Sequence, residues 1–153
     1  MELDDKDKKL LLLLQENSKR TNKQLANELN LSVTAVFERI KKLEKQKIIN
    51  KYVVLIDKEK VKKNFIVLCH VKLIQHKKEY ISKFESEIKK FPEILECFHV
   101  SGDYDYILKI GLKDIKEYRE FMVSKLTSME HIASTQSSFV IEEVKSTTSI
   151  FLD

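Results

Sequence analysis

"TNKQLANELNLSVTAVFERIKKLEK", Thr21 to Lys45, decides how this chain folds. It opens on Thr-x-x-Gln, the form of a capping box, in which a threonine hydroxyl and a glutamine amide satisfy each other's backbone N–H groups. Leu25, Ala26 and Leu29 then give a short apolar stripe. Asn30-Leu31-Ser32 reads as a break. Asparagine tolerates the left-handed backbone there, and Ser32 is a good N-cap for the next helix. From Val33 to about Gln46 the pattern is again helical. Val33, Val36, Ile40 and Leu43 fall on one side of a 3.6-residue wheel. Thr34, Ala35, Glu38, Lys41, Lys42 and Lys45 point away, with Arg39 on the flank. The outer face is therefore small at its start and cationic later. A helix entering the DNA major groove N-terminus first needs that order, because small side chains let it approach base edges while later cations meet phosphates. Short helix, three-residue break and basic helix within about 25 residues make a helix-turn-helix.

Upstream, a further helix opens at Leu3, runs through the leucines and is completed by Lys19 and Arg20. Asp4, Asp5 and Asp7 suit the positive end of its dipole. Charge supports an anionic partner for this part of the chain only. Residues 1–64 hold 16 Lys and Arg against 10 Asp and Glu, a balance of +6. Residues 65–153 hold 12 against 14, a balance of −2, and the two add to the chain's +4. Charge alone does not separate nucleic acid from a membrane surface; with the helix-turn-helix pattern, double-stranded DNA is the expected partner.

Downstream, "FIVLCHVKLI" (65–74) reads as a strand, and 78–90 as a helix ended by Pro92. Residues 94–100 and 104–110 read as two strands joined by Ser101-Gly102-Asp103. Residues 114–127 form a second amphipathic helix and 132–144 a last strand. The order β-α-β-β-α-β predicts a ferredoxin-like domain, so the fold class is α+β: a helix-turn-helix domain over 1–50, a linker over 51–64 and a ferredoxin-like domain over 65–153. Both helices should cover one face of the sheet. The other face keeps apolar residues and predicts a homodimer packed sheet to sheet.

Asp103 and Asp105 interrupt an apolar run, and alternation would put both on one face of a strand. No nucleophile, Gly-rich phosphate loop or third acid accompanies them, so no enzyme and no cofactor are expected. His70, His76, His99 and His131 show no metal-ligand spacing, and His70 and His99 are expected as satisfied structural histidines. Cys69 and Cys97 lie in apolar runs and are expected as buried, reduced thiols. No apolar run nears the roughly 18 residues of a membrane helix, and the acidic start is unlike a signal peptide. A cytoplasmic protein with no membrane partner is expected.

Leu3-Asp4, Asp7, Leu11, Leu25-Ala26, Leu31-Ser32, Val36, Arg39, Ile40, Leu43-Glu44, Ile49 and Tyr52 resemble the Lrp/AsnC family in order and spacing. So do Pro92, Ile94, Val100, "SGDYDY", Ile132, Thr135 and Ser137. The resemblance implies a ligand-responsive transcription regulator whose dimers assemble further, into rings such as octamers, with a free amino acid as effector. Thr34, Ala35, Glu38 and Arg39 are then the residues expected to face bases, and Thr21, Ser32, Lys41 and Lys42 those expected to face phosphates. The backbone around Ser101 to Tyr104 is expected to hold the effector carboxylate, and Asp103 or Asp105 its ammonium. Ser134, Thr135 and Ser137 would add hydroxyls. Two departures stand out: Lys47 and Lys62 or Lys63 occupy places where the family often has glycine. Asn50 is expected to cap the third helix instead of Lys47. Two other readings compete, an amino-acid-sensing subunit acting by protein contact and an architectural DNA binder with a vestigial pocket.

Overall fold

The computed structural model describes residues 2–153. They form two compact units. One holds the chain up to Leu55 together with Val144–Asp153, and the other is Ile56–Glu143.

The first unit contains α1 (Asp5–Glu16), α2 (Asn22–Leu29) and α3 (Val33–Lys45). Each begins on a side-chain cap. Asp4 accepts from the Asp7 N–H and Ser32 from the Ala35 N–H, while Thr21 and Gln24 close the expected capping box. Asn30 takes the left-handed conformation at the end of α2 (φ 52°), as expected. Leu10, Leu25, Leu29, Val36 and Leu43 are fully buried between the helices. Each such side chain contributes about 1.5–3 kcal/mol.

Two local expectations fail here. Lys47, not Asn50, adopts the left-handed conformation after α3 (φ 57°). There the N–H groups of Ile48 and Ile49 both donate to the Leu43 carbonyl, and only a reversed backbone at Lys47 brings them back to it. The second failure is at Val144–Asp153, expected with the sheet. This segment packs with the helices because the Gln15 amide makes two hydrogen bonds to the Ile150 backbone and Leu152 rests on their core.

The second unit is a four-stranded antiparallel sheet in the order β2-β3-β1-β4, where β1 is Phe65–Leu73, β2 Ile94–His99, β3 Tyr106–Leu112 and β4 Ile132–Phe139. Helix α4 (Lys78–Ile88) links β1 to β2, and α5 (Ile115–Phe121) follows β3. This is the expected ferredoxin-like arrangement. One sheet face, Val67, Cys69, Val71 and Leu73 with Tyr106, Leu108, Ile110 and Leu112, is buried under Phe84, Ile88, Tyr118 and Phe121.

The last strand stops at Phe139, short of 144. The N–H of Val140 still donates to the Ile66 carbonyl, but β1 begins at Phe65 and offers no further partner. The expected second helix is not uniform either. After α5 it widens into a π-helical turn, Met122–Leu126, where the Ser124 hydroxyl donates to the Glu120 carbonyl and competes with the backbone ladder.

The register shows what faces the other way. Ile66, Leu68, His70 and Lys72 of β1 lie beside Ile107, Lys109 and Gly111 of β3 and beside Ser134, Gln136 and Ser138 of β4. Leu95 and Phe98 are half exposed on β2. Gly111 answers for one of the chain's two glycines, since a Cβ there would lie 2.8 Å from the Leu95 side chain. Its absence seats Leu95 beside Ile66.

Candidate functional site

On α3, Val36 and Leu43 point into the helical core while Thr34, Glu38, Lys41, Lys42 and Lys45 are exposed. Among the described residues, Lys41, Lys42 and Lys45 make no ion pair. Ala35 is half-buried, so its methyl sits at the rim of the outer face. The Thr21 and Ser32 hydroxyls are engaged as N-caps. Ser32 retains its O–H as a donor toward a phosphate.

Arg39 departs from the expected base-facing role. Its Nη1 donates to Asp4 Oδ2 at 2.7 Å and to Asp7 Oδ1 at 2.6 Å. The Asp7 side chain is 3 % exposed, whereas that of Arg39 is 27 % exposed. The guanidinium therefore ties α3 to the N-terminus of α1. It also holds the Asp4 carboxyl below the usual carboxylate range. The three aspartates expected to serve the helix dipole thus include the two that hold the third helix in place.

One outward residue was not foreseen. Phe37 is 41 % exposed, with Lys41 Nζ 4.5 Å above its ring. Its signal in the sequence was its spacing, three residues after Thr34 and four before Lys41.

In the sheet unit, Gly102 sits at the tip between β2 and β3 with φ 124°, a conformation that side chains rarely adopt. A Cβ there would meet nothing within 4 Å, so the backbone angle and not crowding selects the glycine. The Val100 N–H donates to the Asp105 carbonyl at 2.9 Å and closes the turn. Ser101, Asp103 and Tyr104 line an open hollow of about 670 Å³ with His70, His99, Val100 and Ile107.

Neither aspartate lies in a strand, because β3 begins at Tyr106, so the two do not present one catalytic face. Asp105 turns inward. Its carboxylate accepts the Leu73 N–H at 2.7 Å and pairs with His76 Nε2 at 2.6 Å. Burial pushes its pKa up, but these partners outweigh it and hold the group below the usual range.

The hydroxyls of β4 divide by register. Thr135 stands opposite Val71 and Ser137 opposite Cys69, which puts both on the helix-covered face. Ser137 is bonded there to the Tyr118 hydroxyl. Neither converges with the Gly102 turn within one chain. Ser134, opposite Lys72, lies on the open face. There the Tyr104 hydroxyl donates to Gln136 Oε1 at 2.6 Å, and the His70 ring packs on Tyr104 with centroids 5.3 Å apart. Gln136 is a residue that the hydroxyl pattern drew attention away from.

His70 is not the satisfied histidine expected, since its Nδ1 is buried without a hydrogen-bond partner among the described residues. His99 stacks on Tyr106. Cys69 is buried, but Cys97 is exposed because it lies on an edge strand. Among the described residues no cluster of three or more His, Cys, Asp or Glu is placed to hold a metal ion. Among the described residues no helix is long and apolar enough to cross a membrane.

A helix-turn-helix with a cationic outer face, joined to a ferredoxin-like sheet with a hollow at one end, defines a ligand-responsive DNA-binding regulator. Residues 3–50 match a winged helix-turn-helix DNA-binding domain, and residues 66–150 match the Lrp/AsnC ligand binding domain. The chain belongs to the Lrp/AsnC family of transcriptional regulators. It is 37 % identical over 150 residues to the leucine-responsive regulatory protein of Haemophilus influenzae, covering 98 % of this chain and 90 % of the relative. It is 34 % identical over 151 residues to the transcriptional regulator AzlB of Bacillus subtilis, covering 99 % and 96 %. Its fold matches the crystal structure of a transcriptional regulator from Neisseria meningitidis in complex with L-methionine, with a TM-score of 0.94, 34 % identity and coverage of 99 % and 98 %.

Proposed function

We propose that the protein is a cytoplasmic homo-oligomeric regulator that reads double-stranded DNA with α3 and changes its DNA affinity or assembly when a free amino acid binds beside the Gly102 turn. The exposed face of α3, with Thr34, Glu38, Lys41, Lys42 and Lys45 outward and, among the described residues, no competing ion pair on its lysines, carries the DNA-reading half. A free amino acid presents a carboxylate and an ammonium on one carbon. The turn around Ser101 to Tyr104 offers exposed backbone to the carboxylate, and the Asp103 carboxylate is open to the ammonium. The methionine complex of the Neisseria relative supports an amino acid as the effector class.

Two copies pack through the open sheet face, where Leu95, Phe98, Leu68 and Ile107 need cover. A two-fold dimer carries two α3 helices, one for each half-site of a two-fold operator. A dimer-to-ring equilibrium then lets the effector alter the spacing of these reading helices.

Titration of labelled DNA, with and without each of the twenty amino acids, tests the reading, with calorimetry reporting amino-acid binding separately. Lys42→Ala should lower the slope of log K against log salt by about one unit, the loss of one phosphate contact. A protein that binds an amino acid but no DNA is a sensing subunit acting by protein contact. One that binds DNA and no amino acid is an architectural binder.

A further inference from the structure

We infer that Phe37 is a base-reading residue of α3 and that it recognises the C5-methyl group of a thymine in the major groove. The inference deepens the reading of α3 as the DNA-reading helix and rests on it. Phe37 is the fifth residue of a helix that begins at Val33, within the part that enters a groove first. Its ring is 41 % exposed although the same helix has a core side. That side is filled by Val36, Ile40 and Leu43, so Phe37 is not a displaced core residue. Around it stand Thr34 and Lys41, with Lys42 and Lys45 further round the outer face, while Val33, expected on the core side, is half exposed one turn earlier, so a small apolar contact sits at the leading end of a cationic face. Lys41 lies over one ring face, which leaves the ring edge to make contact. The thymine methyl is the apolar group that B-DNA offers in its major groove. An exposed aromatic ring among cations, at the leading end of a groove-entering helix, matches that target. Arg39, engaged with Asp4 and Asp7, does not compete for the place.

The test selects duplexes from a randomised pool with the full-length wild type. Each thymine of the selected site is then replaced singly by deoxyuridine, which removes only the methyl. Wild type should lose about three- to fivefold in affinity at one or two positions per half-site, the transfer free energy of one buried carbon group. Phe37→Ala should be indifferent to the same replacements, within twofold. Phe37→Leu, which keeps an apolar side chain, should retain part of the loss. Melting curves of both variants should match wild type, since the residue is exposed. If every methyl matters as much to Phe37→Ala as to wild type, or none matters to wild type, Phe37 does not read thymine while α3 stays the reading helix. If the wild type enriches no sequence from the pool, the DNA-reading assignment fails, and this inference with it.

Discussion

Arg39→Ala separates two roles that the sequence cannot separate. The residue lies on the flank of α3, where a cation reaches DNA as easily as it reaches the protein. In the structure its Nη1 bridges Asp4 and Asp7, and Asp7 is a buried charged side chain. Removing the guanidinium leaves the Asp7 carboxylate inside the helical unit without its cation. Truncating one partner of a buried charge pair costs about 2–5 kcal/mol. Arg39 keeps a quarter of its side chain in solvent, so water partly replaces it, and the lower part of that range applies, about 2–3 kcal/mol. For a unit of this size each kcal/mol moves the melting midpoint by roughly 4–8 °C, so a loss on the order of 10–20 °C is expected.

The assay is urea or thermal unfolding of the full chain followed by helical circular dichroism. Its pH dependence gives an independent check. The Asp4 carboxyl is held below its ordinary value by Arg39, so this contribution is present above about pH 3.9 and disappears as pH falls through the lowered value. The gap between wild type and Arg39→Ala should therefore narrow in acid. A paired Asp7→Leu, Arg39→Met variant should recover most of the stability, because it removes both charges together. A loss below about 0.5 kcal/mol, accompanied by a lower salt slope for DNA binding, would show that Arg39 faces DNA and that its ion pairs are incidental.

Lys47→Gly should raise the stability of the helical unit by about 0.5–1 kcal/mol, measured by urea midpoint, because glycine adopts the left-handed backbone at no steric cost. Ending the chain at Glu143 should lower it by about 1–3 kcal/mol through loss of the Gln15–Ile150 hydrogen bonds and the Leu152 contact, visible as an earlier helical melting transition. Asp105→Ala should destabilise the sheet unit by about 1–3 kcal/mol in thermal unfolding, by stranding the Leu73 N–H, while Asp105→Asn, which retains an acceptor oxygen, should cost less than half of that. Since Asp105 is held below its ordinary value, its contribution is present above about pH 3.9 and lost as pH falls through the lowered value.

Local chemistry made the element order readable. Thr21, Asn30 and Ser32 mark helix ends through hydrogen bonds that span only three or four residues, and all three do so. The strands of the sheet unit were legible because alternating apolar residues have one physical use. Side chains whose partners lie far along the chain were not legible. Nothing near Arg39 announces Asp4 and Asp7, 35 and 32 residues away, and nothing near Asp105 announces Leu73 and His76. Phe37 escaped for the opposite reason. Its spacing from Thr34 and Lys41 places it outward, but an aromatic residue in an amphipathic helix reads as core, and its exposure decides between the two. Lys47 shows a third limit, since a helix end can force a left-handed backbone on a residue whose type does not favour it.

The β1–β4 register decides which polar groups stand near the Gly102 turn. Period-two alternation commits each residue of β4 to one face, and Cys69 opposite Ser137 commits Ser137 to the covered one. Its bond to Tyr118, with Phe139 packed edge-on against the same ring, makes it part of the α5 contact. Ser134, Gln136 and Ser138 are thereby turned to the open face. Of these, Gln136 already holds the Tyr104 hydroxyl, and Tyr104 belongs to the turn that carries Gly102. A carboxamide offers both a donor and an acceptor, whereas Asp105 offers only acceptors and has committed both carboxylate oxygens. The polar group best placed to sense a change at the turn is therefore Gln136. It lies on the open sheet face, so a displacement of Tyr104 is carried onto that face.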